Sequence, residues 1–197
     1  MSLATELSRI LNEHKALKLN GDFANYACVA VILRGDNIQN LEVAYIRRAT
    51  HEGDSWSGQV AFPGGKAEPN DANNLATATR ETLEEIGFEL NTSECIGNLD
   101  DIQARKSGKL LDFFIRPFVF YVDRPVSLTL AADEVADFFW IHIQDLIHPD
   151  NEIQFEVACE NFNAQMPAIR TLTEPPLWGL TYLMTQNLLS VLSGPKK

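Results

Sequence analysis

Cysteine is scarce in this chain: Cys28, Cys95 and Cys159 are odd in number, far apart and form no CxxC pair. Such spacing argues for reduced, buried thiols and against a disulfide framework or a zinc site. Also missing is any apolar run near the roughly 18 to 20 residues that a membrane span requires. The N-terminal stretch MSLATELSRILNEHK has no basic start leading into an apolar core, so a cytoplasmic protein with no membrane partner is expected. Positive charge is short as well. Sixteen Lys and Arg against 27 Asp and Glu leave a net charge of -11, which argues against a nucleic-acid partner. No internal repeat or low-complexity tract occurs.

What is present is enough chain, at 197 residues, for one domain with a sizeable core. The informative stretch runs from Gly58 to Phe88, GQVAFPGGKAEPNDANNLATATRETLEEIGF. It reads as a short apolar run (Val60 to Phe62), a Pro63-Gly64-Gly65 turn, and a helix over Leu75 to Ile86. Asn73 or Asn74 caps its start and Gly87 its end. At about 100° per residue, Leu75, Thr79, Thr82, Leu83 and Ile86 gather on one side and Glu81, Glu84 and Glu85 on the other. Like charges at these spacings oppose the helix by roughly 0.2 to 0.5 kcal/mol a pair. A hard divalent cation, Mg²⁺ or Mn²⁺, offsets that repulsion; so does water on a solvated acidic face, and the three glutamates alone do not choose between them.

The context resembles the signature of the Nudix hydrolases, GX5EX7REUXEEXGU with U a bulky residue. Gly65, Arg80, Glu81, Glu84, Glu85 and Gly87 match; Asp71 stands for the usual Glu, and Thr82 and Phe88 take the U positions. The interval from Asp71 to Arg80 holds eight residues rather than seven. The resemblance implies an α/β (α+β) Nudix fold, with a mixed β-sheet sandwiched between helices and extra N- and C-terminal helices. One domain is expected over 1–197, with an N-terminal helix within 1–20 and a core over 26–192 that includes a C-terminal helix.

In chain order, residues 3–19 carry Leu3, Leu7, Ile10, Leu11 and Leu17 at near-helical spacing. Tyr26 to Leu33 and Leu41 to Arg47 read as a hairpin. His51 to Ser57 is a polar loop in which Trp56 stands out, able to stack on a base or to cap the core. Cys95 to Ala104 reads as a strand running into a loop. Arg105 to Lys109 is a basic turn, either a phosphate holder or an exposed hairpin tip. Leu110 to Val122 is strongly β-forming, with Pro117 at a bulge or an edge. Asp137 to Ile143 is a strand, Ile153 to Ala158 and Gln165 to Arg170 pair, and Pro175-Pro176-Leu177-Trp178-Gly179-Leu180-Thr181 leads into an apolar helix ending at Leu192.

The WGLT and GQVAFPGGK segments and the Asp71 spacing resemble the coenzyme A pyrophosphatase branch of that family. Trp56 replaces that branch's histidine, and VAYIRR echoes its preceding strand. The family resemblance implies Mg²⁺ or Mn²⁺ held by Glu81, Glu84, Glu85 and the Gly65 carbonyl, with Glu84 or Glu85 as general base and Glu134 as the alternative. Arg80, expected to point off the carboxylate face, would brace Asp71 or the glycine-rich loop. Arg47, Arg48, Trp56 and Gln59 are candidate substrate contacts. The implied substrate is a small nucleoside diphosphate derivative, coenzyme A or its acyl esters ahead of ADP-ribose, nucleotide sugars and dinucleotides. A nucleotide-sensing regulatory module is the non-enzymatic alternative, and a homodimer is possible by analogy.

Overall fold

The computed structural model describes residues 2–19, 25–53, 56–106, 109–158 and 163–194. Strand β1 (Asn25–Arg34) runs parallel to β7 (Lys109–Tyr121) and antiparallel to β4 (Gly64–Lys66). Strand β2 (Glu42–Arg48) pairs with β3 (Val60–Ala61) and β8 (Val135–His142), and β7 also carries β5 (Cys95–Asn98) and β6 (Ile102–Lys106). The sheet is therefore mixed, as expected. A second sheet, β9 (Glu152–Ala158), β10 (Asn163–Ile169) and β11 (Leu177–Trp178), leads into α4 (Gly179–Leu192).

Strand alternation sorts the core into two layers. Cys28, Ala30, Ile32, Ala44 and Ile46 face α2 (Asn74–Ile86) through Ala78 and Ile86. Val29, Val31, Leu33, Val43 and Tyr45 face α4, through Met184, Leu188 and Leu189, and α1 (Leu3–His14), through Leu7 and Leu11. Burying each such Leu or Ile contributes about 1.5–3 kcal/mol. The sheet is thus held between helices, and no helix of the described residues is long and apolar enough to cross a membrane.

Several expectations change. Helix α1 stops at His14, because Lys15 takes a left-handed φ of 53°; Leu17, 60% exposed, is outside it. Residues 17 to 19 are tied instead to the Asp100 and Asp101 carboxylates through the Leu17 and Leu19 N–H groups, both at 2.8 Å. The expected hairpin exists only at Leu33/Val43 and Arg34/Glu42, since β1 and β2 then take different partners. Pro117 is not on an edge: β7 has neighbours on both sides, and Pro117 sits where β5 gives way to β6 and the ladder is already broken. The Pro63-Gly64-Gly65 turn is a bend followed by strand β4. The basic turn is the tip of the β6–β7 hairpin, its Ser107 and Gly108 lying outside the described residues, as does Cys159. Cys28 is buried and Cys95 half-buried, both as free thiols.

Candidate active site

Helix α2 begins where its sequence says. The Asn73 side chain accepts from the Ala76 N–H, and Gly87 closes the last turn at φ 65° with its N–H on the Leu83 carbonyl. Its inward side keeps Leu75, Thr82 and Ile86 as expected from amphipathic spacing, but exchanges Leu83 for Glu85. Thr77, Ala78, Thr82, Glu85 and Ile86 are buried, whereas Leu83 is 48% exposed. Glu85 therefore does not share an outward acidic face with Glu84. It points into the gap between α2 and β4, at 2% exposure, where the Gly64 N–H donates to its Oε2 at 2.8 Å.

Strand β4 makes that gap possible. A side chain at Gly64 would collide with the Cys28 carbonyl and the Val29 backbone, and one at Gly65 would collide with the Glu81 carboxylate. Two glycines thus let the chain lie against β1 on one side and against two glutamates on the other. Burial pushes the Glu85 carboxyl up to about 8, with the Glu81 and Glu134 charges adding to the push and Gly64 and Arg48 opposing it. Burial also raises Glu81, against the pull of Arg80. Two desolvated carboxylates, Glu81 with Arg80 as its ion-pair partner, thus stand as oxygen donors beside a backbone stripped of side chains.

Arg80 is not turned away from the carboxylates. Its Nε donates to Asp71 at 2.9 Å, its Nη2 donates to the Lys66 carbonyl at 3.1 Å, and its Nη1 lies 3.0 Å from Glu81 and 2.8 Å from Glu84. Bracing of Asp71 and of the glycine-rich segment is what the structure shows, with the acidic row included, despite the extra residue in the Asp71–Arg80 interval. Asp71 also accepts from the Thr77 hydroxyl at 2.8 Å and the Glu68 N–H at 2.9 Å. Those bonds, the Arg80 pair first among them, hold its carboxyl well below the usual range. Among the described residues no three His, Cys, Asp or Glu side chains close into one metal-ligating cluster, and Glu84 is exposed and paired with Arg80.

The two candidate arginines part company. Arg47 alternates with Tyr45, whose hydroxyl meets Thr185 of α4 at 2.9 Å, so it lies on the α4 side of the sheet. Arg48, next along the strand, continues the Ala44 and Ile46 series on the α2 side, and its charge reaches Glu85. Trp56, 40% exposed, stacks on Phe113 with ring centroids 6.1 Å apart; Asp54 and Ser55 of its loop lie outside the described residues. Gln59 sits at the root of this loop, its carbonyl accepting from the Arg48 N–H at 3.0 Å.

Glu134 is exposed on the turn before β8, close enough for its charge to raise both Glu81 and Glu85. The chain before it caps α2: the Thr129 N–H donates to the Ile86 carbonyl and the Ala131 N–H to the Glu85 carbonyl, each at 2.9 Å. Sequence reading did not find this strap, which follows the helix by more than 40 residues and has no local pattern.

A model of the NUDIX domain matches residues 25–160. An uncharacterized protein of Schizosaccharomyces pombe is 32% identical over 118 residues, 58% of this chain and 36% of that protein. The present chain therefore matches little more than a third of that relative's length. An uncharacterized Nudix hydrolase of Yersinia pestis, NudL, is 29% identical over 147 residues, 75% of this chain and 70% of that one. Among solved structures, a MutT/nudix family protein from Enterococcus faecalis covers 96% of this chain and 67% of its own at a TM-score of 0.53 and 17% identity, a likeness of fold.

Proposed function

This chain belongs to the NUDIX domain family, and from that premise we propose that it is a metal-dependent hydrolase of a diphosphate bridge in a small nucleoside diphosphate derivative, coenzyme A or its acyl esters first. The observation that carries the reading is the pair of desolvated carboxylates, Glu81 and Glu85, packed against Gly64 and Gly65. This donor set fits Mg²⁺ or Mn²⁺: hard carboxylate oxygens on two desolvated side chains, beside the Gly64–Gly65 backbone. Glu84, held on Arg80, is an outer donor within reach of the same row. When bound, the cation neutralises the diphosphate and makes water more acidic.

The residues themselves do the rest. Glu81 and Glu85 anchor the cation, and Arg80 with Asp71 fixes the row they stand in. Arg48 supplies positive charge beside Glu85. A carboxylate committed as a donor is a poor proton acceptor, so the preference moves from Glu84 and Glu85 to Glu134 as the base, exposed above the pair. Trp56 on Phe113 offers an aromatic face for a base, and Gln59 borders the same loop. An intact carboxylate row counts against a purely regulatory module.

Incubation with coenzyme A, ADP-ribose, UDP- and GDP-sugars and NADH, each with Mg²⁺ or Mn²⁺, followed by mass spectrometry, tests this. The expected products are 3',5'-ADP and 4'-phosphopantetheine. Preferential cleavage of a sugar nucleotide or ADP-ribose overturns the substrate; no cleavage of any overturns the activity.

A further inference from the structure

His51 and Asp133 stand 82 positions apart, yet the His51 Nε2 meets the Asp133 carbonyl oxygen. A carbonyl only accepts, so Nε2 carries the proton and donates. Beside this contact the Ala49 N–H donates to the Glu134 carbonyl at 2.8 Å. On the other flank of the same turn the Ala131 N–H donates to the Glu85 carbonyl at 2.9 Å, and the Glu134 and Val135 N–H groups return to the Ala131 carbonyl, each at 2.8 Å. The His51 backbone is itself held, its N–H donating to the Ser57 Oγ at 2.6 Å. The turn that carries Glu134 is thereby fixed between the last turn of α2 and the loop that carries Trp56.

We propose that His51 is a positioning residue: its imidazole N–H holds the turn around Asp133 so that Glu134 reaches the α2 carboxylates, and couples the Trp56 loop to that geometry. The inference rests on the diphosphate-hydrolase reading of the site. Displacing a reacting group by about 1 Å costs on the order of a hundredfold in rate. Stability is affected far less, because His51 and Asp133 are both exposed and water replaces the lost donor at the carbonyl.

The test is steady-state kinetics and thermal unfolding of the full chain as wild type, His51→Ala, His51→Gln, Glu134→Gln and the double variant His51→Ala/Glu134→Gln, on whichever diphosphate the wild type cleaves. His51→Ala should lower kcat about tenfold to a hundredfold with KM and Tm little changed. His51→Gln, which keeps an amide N–H near the Nε2 position, should recover most of it. On the Glu134→Gln background the His51→Ala change should add nothing. Wild-type kcat in His51→Ala, a loss that His51→Gln does not recover, or full additivity with Glu134→Gln each overturns the positioning role, while a large loss in Glu85→Gln keeps the site's chemistry standing. A wild-type chain that cleaves no diphosphate overturns the reading of the site and the proposal with it.

Discussion

Two helices of nearly equal length flank the main sheet, and they treat buried polar groups differently. In α4 the Thr185 hydroxyl meets the Tyr45 hydroxyl at 2.9 Å and the Thr181 hydroxyl donates to the Val60 carbonyl at 3.0 Å, neutral groups with neutral partners. In α2 a carboxylate is buried, beside a second one, with a Gly64 N–H on its oxygen and a pKa lifted to about 8. Helix α4 is built for packing. Helix α2 carries an ionisable group where water is thin, protonated up to about 8 without metal, and such a place is suited to a cation that displaces the proton.

The sharpest way to break this comparison is Glu85→Gln, which keeps the shape and removes the charge. Diphosphate hydrolysis should fall about a thousandfold or more while far-ultraviolet circular dichroism is unchanged; near wild-type turnover would make α2 an ordinary packed helix.

The same residue makes a stability prediction of opposite sign. Unfolded, the Glu85 carboxyl ionises near 4.5; folded and metal-free, it holds its proton to about 8. The folded state thus binds the extra proton between these values. Its contribution is fully present below 4.5 and declines by about 1.4 kcal/mol per pH unit as pH rises through the window. Chemical denaturation in EDTA should show that decline in the wild type and its loss in Glu85→Gln, which should be the more stable protein at pH 8. Parallel pH profiles would contradict it.

Arg80→Met comes next. Its guanidinium joins Asp71, the Lys66 carbonyl, Glu81 and Glu84, so its removal should cost about tenfold to a hundredfold in kcat/KM. Raised metal concentration should restore part of this. An effect on Tm alone would reduce Arg80 to a structural pair. Smallest is Tyr45→Phe on the α4 side: the lost hydroxyl contact should cost about 1 kcal/mol of stability with hydrolysis unaltered. Impaired hydrolysis there would show that the two faces are coupled.

Much of this was legible in the sequence. Asn73 and Gly87 mark the ends of α2 because capping is local chemistry, and the spacing from Gly65 to Gly87 carries the family resemblance. The inward turn of Glu85 was not legible. Amphipathic reading sends carboxylates outward and Leu83 inward, and only the contact with side-chain-free β4 reverses them. Arg80 was misdirected for the same reason. The separation of Arg47 from Arg48 follows from strand alternation, but which of the two faces meets α2 is set by the packing of elements distant in sequence. His51 carried no signal, since its contact is made only when two distant loops meet.

Binding of Mn²⁺, followed by electron paramagnetic resonance in the wild type, Glu81→Gln and Glu85→Gln, tests the central claim most directly. The account predicts wild-type binding that tightens as pH rises toward 8 and weakens at least about tenfold in either variant. Equal Mn²⁺ affinity in all three proteins would contradict it.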